Sequence, residues 1–274
     1  MKFQIGAMTV GDILDRGLKM LLANLPAFYL INLMVLWPVI IFQIAFPMVA
    51  PPDSPASIFI GIWIALILAI IVQPIGSAAM LHIISQDFVD QRVTIGSAIR
   101  FAMRRFGSLL GTSILTGIVV GVGLCLCGVP GVLFYVWYAL FAQIVVVENL
   151  GGMNALNRSK TLTEGFRWRV FGVLILVIVI SLITQYSVAL LLERVIPSYD
   201  LLPVPKKNQF DMGFRLVAKY PNLWINLIVA WLISILVQAY GTICVTLLYF
   251  DLRNRKEGFD LELAAREQQT AEQP

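Results

Sequence analysis

Chemistry needs titratable or nucleophilic side chains, and this chain of 274 residues holds few: 16 Asp and Glu, one His and three Cys. His82 has no nearby partner visible in the sequence for a general-base role, so an interfacial, hydrogen-bonded role fits it better. Cys125-x-Cys127 and Cys244 lack the further Cys or His of a metal site and read as small apolar packers. No phosphate-binding Gly loop and no Ser/His/Asp set occurs. These features point away from an enzyme and imply no cofactor. Two kinds of polar group remain. The amides Asn32, Gln43, Gln73, Gln143, Gln185, Asn226 and Gln238 interrupt apolar runs. Such groups hydrogen-bond across helices, or in the alternative line a polar track for a substrate. Gln73-Pro74 stands out, because proline frees a carbonyl and can kink a helix. Glu148, Arg158, Asp251, Arg253 and Glu257 flank the apolar runs and could form an ion-pair network.

The elements that carry these residues follow from composition. Charged residues make up 13% of the chain and hydrophobic ones 59%. A soluble domain carries about 25% charged residues, so a compact water-soluble fold is excluded. No Asp, Glu, Lys or Arg lies between Lys19 and Asp53, Asp53 and Asp87, Arg105 and Glu148, Arg169 and Glu193, or Lys219 and Asp251. About 20 apolar residues cross a bilayer as a helix. The run from Arg105 to Glu148 must therefore turn, and Cys127-Gly128-Val129-Pro130-Gly131 supplies the break. The pattern predicts an all-α integral membrane protein with six spans near 25–47, 57–84, 107–126, 131–148, 170–192 and 222–250. A β-barrel is excluded, since its strands alternate and Leu174 to Ile180 is apolar throughout. The first apolar run is too long for the core of a signal peptide and reads as a retained span. No ionisable group lies deep in a span, which counts against an ion-coupled carrier.

Charge placement sets the orientation. Most of the 20 basic residues fall in the N-terminal segment, the 85–106 and 149–169 loops and the tail, so the positive-inside rule places both termini in the cytoplasm. The loop 193–221 conflicts with this, because it should lie outside yet holds Arg194, Lys206, Lys207, Arg215 and Lys219. Its length makes it a candidate contact surface, with a short helix predicted over Asn208 to Tyr220. Thr9-Val10-Gly11-Asp12 and Thr94-Ile95-Gly96-Ser97 each open an amphipathic stretch, with Thr9 and Thr94 as N-caps. In the first, Val10, Ile13, Leu14, Gly17, Leu18, Leu21 and Leu22 form one stripe. A looser third copy begins at Met153 after Gly151-Gly152. The organisation expected is three hairpins, each preceded by a short cytoplasmic interfacial helix, in one domain over 1–263 with a flexible tail over 264–274. Arg16, Lys19, Arg100, Arg104, Arg105, Arg167 and Arg169 would contact anionic headgroups. Gly107-x-x-x-Gly111 and Gly117-x-x-x-Gly121 predict close helix packing within the monomer. Nucleic acid is a poor partner for a chain without a basic, aromatic-interleaved module.

Four segments carry a family resemblance: Thr9 to Arg16; Gly128-Val129-Pro130-Gly131; Val147-Glu148-Asn149-Leu150-Gly151-Gly152 with Ala155 to Ser159, Leu162-Thr163 and Gly165; and Tyr249 to Arg253 with Arg255 to Leu261. The chain resembles the bacterial membrane domain of glycerophosphoryl diester phosphodiesterases and its stand-alone relatives. The resemblance implies six spans with cytoplasmic ends in a bacterial inner membrane. It brings no activity, because catalysis there belongs to a separate soluble domain that has no counterpart here. The expectation is a non-enzymatic accessory protein, scaffold or regulator of envelope processes, contacting lipids and a membrane or cytoplasmic protein partner. The alternative is a permease or lipid-translocating protein.

Overall fold

A computed structural model describes residues 8–49, 55–87, 93–195 and 221–258. Among these residues every regular element is α-helical: α1 Val10–Ala23, α2 Leu25–Val49, α3 Pro55–Asp87, α4 Ile95–Arg104, α5 Phe106–Cys127, α6 Val129–Tyr138, α7 Phe141–Val147, α8 Gly152–Thr163, α9 Arg167–Val195 and α10 Pro221–Glu257. Six segments are long and apolar enough to cross a membrane: Leu25–Phe42, Phe59–Asp87, Phe106–Leu126, Val129–Val147, Arg167–Val188 and Leu232–Glu257. This is a multi-pass membrane protein. Most of the loop 193–221, including the helix expected over 208–220, and the tail from 264 lie outside the described residues.

Local sequence explains the helix starts. Thr9 caps α1 through a reciprocal box: the Asp12 N–H donates to Thr9 Oγ1 at 3.2 Å, and the Thr9 N–H donates to Asp12 Oδ2 at 2.8 Å. Thr94 occupies the N-cap of α4, yet its side chain makes no capping bond there and pairs with Ser97 Oγ instead. In α1 the buried face is Ile13, Gly17, Met20 and Leu21. The expected stripe is thus rotated: Leu18 and Leu22 are exposed and Met20 is buried, because α1 lies along α10.

Helix α2 packs along α3, α5 along α6, and α9 along α10. The core sits at one end of the bundle. It is built from α1, the first half of α2, the second half of α3, α4, the start of α5, the end of α6, α7, α8, the start of α9 and the second half of α10. In the other half, Trp63, Ile67, Ile118, Val122, Leu182 and Ile183 are exposed, as apolar faces in lipid can be without cost. The closest helix approach corrects the Gly-x-x-x-Gly reading. Gly107, Gly111, Gly117 and Gly121 all face open space. The contact is made by Gly123, where a Cβ would lie 2.8 Å from Gly131 Cα.

The fourth span also departs from expectation. It breaks at Ala139 and Leu140 into α6 and α7. Ser159 of α8 supplies replacement bonds: its Oγ donates to the Trp137 carbonyl at 2.7 Å and accepts from the Leu140 N–H at 3.3 Å. A hydroxyl from a neighbouring helix thus satisfies backbone groups that an unbroken helix would pair internally. Helix α8 is consequently no loose surface element, since Ala155, Leu156, Ser159, Leu162 and Thr163 are all buried.

Candidate functional site

The polar groups with the tightest geometry gather at the packed end, on two faces of α10. On one face Tyr249, Arg253 and Glu257 stand at i, i+4 and i+8, so one helix stripe presents all three. Glu148 at the end of α7 accepts from the Tyr249 hydroxyl at 2.9 Å and from Arg158 Nε at 2.8 Å. Arg158 pairs in turn with Glu257. Glu257 accepts from Arg253 Nε at 3.2 Å, and an Arg253 N–H lies 3.5 Å from the Tyr249 hydroxyl. The circuit closes, with two acids and two cations, and joins α7, α8 and α10. Burial pulls the Arg158 guanidinium toward the neutral form, but its bonds to Glu148 and Glu257 outweigh this and raise its pKa.

On the second face Asp251 is fully buried. Its carboxylate accepts from the Met8 N–H at 2.8 Å, from Arg169 Nε at 2.9 Å and from Arg255 Nε at 3.1 Å. The Met8 carbonyl accepts from Arg169 and, at 2.9 Å, from Arg255. Met8, just before α1, is therefore tied to α9 and α10 through a buried charge that is paired on every side. Nearby, the Tyr240 hydroxyl donates to the Leu14 carbonyl at 3.2 Å.

The segment Val147 to Gly165 has a physical reason at most of its positions. Asn149 adopts φ 60° just past α7, and Gly152 adopts φ 58°. Gly151 passes so near α5 that a Cβ would lie 2.2 Å from Ser108 Oγ. The Gly152 N–H donates to Thr112 Oγ1 at 2.8 Å. Arg105 donates to the Val145 and Val146 carbonyls at 2.8 and 3.0 Å, closing the end of α7. Burial lowers the pKa of its guanidinium.

The sequence-predicted residues are thus divided. The structure brings Glu148, Arg158, Arg253 and Glu257 into one circuit and places Asp251 in another. Arg105 and Arg169, expected at headgroups, also have partners within the protein: Arg105 the Val145 and Val146 carbonyls of α7, Arg169 the buried Asp251. Lys19 pairs with Asp15 at 2.6 Å on the surface, and Arg100 and Arg104 are exposed. Arg167 lies 5.0 Å from the centroid of the Trp137 ring. His82 stacks on Phe101 with centroids 3.9 Å apart, and Arg105 lies over the same Phe101 ring. The amides are scattered. Asn32 is buried and donates to the Phe28 carbonyl at 2.9 Å, beside Met80 Sδ. Gln143 is buried with Oε1 unpartnered. Gln73 and Gln185 are exposed, and Gln238 is half-buried. The side chains of Gln43 and Asn226 lie outside the described residues. No cluster of three or more His, Cys, Asp or Glu that could hold a metal occurs among the described residues.

Sequence reasoning missed Met8, Tyr249, Arg255 and Ser159. The i, i+4 spacings of Tyr249 with Arg253 and of Asp251 with Arg255 were the signal for two of them. A backbone N–H at Met8 and a hydroxyl serving a broken helix leave no such trace.

Residues 88–250 match a family described as a domain of unknown function, DUF7847. The chain belongs to this family. The DUF7847 region runs from just before α4 to Phe250, so it holds Glu148, Arg158, Ser159, Arg169 and Tyr249. Asp251, Arg253, Glu257 and Met8 flank the matched DUF7847 region and complete both clusters from either side of it. No curated protein and no solved structure matches the chain.

Proposed function

We propose that this protein is a non-enzymatic scaffold or accessory protein of a bacterial inner membrane, with both termini in the cytoplasm. One observation carries the reading: the charged groups that α10 presents at the packed end are bonded to charges and backbone of the neighbouring helices. Glu148, Arg158, Arg253 and Glu257 form a closed circuit, and Asp251 is enclosed by Met8, Arg169 and Arg255. Groups so committed hold helices in place. The likeness of these segments to the membrane domain of glycerophosphoryl diester phosphodiesterases is in keeping with a membrane module that carries no reaction of its own.

The architecture proposed is three units, each an elbow helix followed by a membrane hairpin: α1 with α2 and α3, α4 with α5 and the broken fourth span, α8 with α9 and α10. The elbows lie at the cytoplasmic face, where Arg16, Lys19, Arg100, Arg104 and Arg167 meet anionic lipid headgroups. The packed end offers a protein partner a surface of fixed shape.

A permease or lipid translocator is the second reading. The buried, unpartnered Gln143 Oε1 favours it, because such a group wants a polar companion. The spread of the amides weighs against it: Asn32 is paired while Gln73 and Gln185 are exposed. Reconstitution into liposomes with fluorescent phospholipids and entrapped solutes tests the choice. No protein-dependent flux is the expected result, and a clear flux of either kind would overturn the scaffold reading.

A further inference from the structure

Trp137 is the point where the broken span, α8 and α9 meet. Its carbonyl is held by Ser159 and faces the Thr163 hydroxyl at 3.5 Å. Lys160 Nζ and the Arg167 guanidinium each lie 5.0 Å from its ring centroid. One cation comes from the last turn of α8 and the other from the first residue of α9. Cations over an indole are attracted by the ring, but that attraction is about 0.5–1 kcal/mol at an exposed site. It does not neutralise two like charges gathered at one ring. Among the described residues no carboxylate forms an ion pair with Lys160 or Arg167, whereas Arg158, Arg169, Arg253 and Arg255 all have one.

The surroundings name the missing anion. Arg167 is the first residue of a membrane-crossing segment, so the pair stands where an apolar run begins. The neighbouring Trp168 is 86% exposed, with its ring edge-on to Phe171. Exposed indoles at such a boundary sit at the level of lipid headgroups. The first turn of α9 adds the positive end of its helix dipole.

We propose that Lys160 and Arg167, gathered around Trp137, seat the phosphate of an anionic phospholipid headgroup, with Trp168 beside the glycerol region. The proposal rests on the preceding reading only in placing Arg167 at headgroup depth. The flux assay decides the scaffold reading, and lipid retention decides this one, so either can fail alone.

Native mass spectrometry of the full chain, released from nanodiscs of mixed phosphatidylglycerol and phosphatidylcholine, tests the seat. The wild type is expected to retain phosphatidylglycerol by about tenfold or more over phosphatidylcholine, the scale for two cations beside an anionic lipid. Lys160→Gln with Arg167→Gln is expected to bring the preference close to parity. Lys160→Arg with Arg167→Lys is expected to keep it. Lys206→Gln with Lys207→Gln removes as much charge from the 193–221 loop, on the other face in the orientation proposed, and is expected to change little. Equal loss in the last variant, or full retention in the first, overturns the proposal. A measurement on wild type alone guards against a variant that fails to fold. Phosphatidylglycerol, and not inorganic phosphate, is expected to raise the unfolding temperature in detergent. An equal rise with inorganic phosphate assigns the pair to the free ion and overturns the lipid seat, and no rise with either also overturns it.

Discussion

At Glu148 one carboxylate holds three helices, since it bonds Arg158 on α8 and Tyr249 on α10 from the end of α7. Its side chain is 13% exposed and that of Arg158 is 27% exposed, so the pair is screened less than a surface bridge. Glu148→Gln and Arg158→Gln are each expected to cost about 1–2 kcal/mol, and the double variant about 1 kcal/mol less than their sum. Denaturant titration of the four proteins in mild detergent measures this, and strict additivity would remove the coupling. Asp12 makes a second prediction. Hydrogen bonds from the Thr9 hydroxyl and the Thr9 N–H, helped by Arg16, hold its carboxyl below its ordinary value of 3.8. The folded value lies below the unfolded one, so the cap contributes fully above about pH 4 and is lost as pH falls through the lowered value. Exchange protection of the first-turn amides of α1 is therefore expected to drop in that acid window. Asp12→Asn is expected to show no such step, and a step that survives this substitution would assign the drop to another group.

At the scale of elements, α10 is the mast to which the others are tied. Gly17 lets α1 approach it: a Cβ there would meet Cys244 Sγ at 2.9 Å. Gly17→Ala is therefore expected to cost about 1–3 kcal/mol through overpacking. Cys244→Ala removes the obstructing sulfur, so the double variant is expected to recover most of that loss. Thermal unfolding of the three variants checks it, and purely additive losses would mean that α1 does not rest on Cys244. Helix α8 shows why one element was half legible in the sequence. Gly151-Gly152 marked its start, and the helix does begin at Gly152. Its burial was not legible, because Ser159 and Thr163 look like surface residues until the break at Leu140 gives them backbone groups to bond. In the same way the Gly-x-x-x-Gly pattern on α5 was present, but the helix that approaches is met by Gly123, outside both motifs.

For the whole molecule, the two halves of the bundle differ in what holds them. One end is a packed core laced by two charge clusters, and the other presents apolar faces for lipid to cover. In the orientation proposed, reporter fusions after residue 258 and within 149–151 are expected to give the same cytoplasmic signal. A fusion within the 193–221 loop is expected to give the opposite one. A matching signal from all three would overturn the six-span topology, and exchanged signals would reverse the orientation proposed. Sequence by itself determined the class and the six apolar segments, because crossing a membrane depends on length, hydropathy and the placement of charge along the chain. It also marked the helix boundaries at Thr9, Gly128 and Gly152, where local backbone chemistry is decisive. Only the tertiary structure decided which charges pair. Glu148 and Tyr249, or Met8 and Asp251, are far apart in the chain and meet because α10 brings its two polar faces against the end of α7 and against Met8. A charge at the edge of an apolar run reads the same whether lipid or protein answers it, and the packing of helices supplies the protein partners of Arg105 and Arg169.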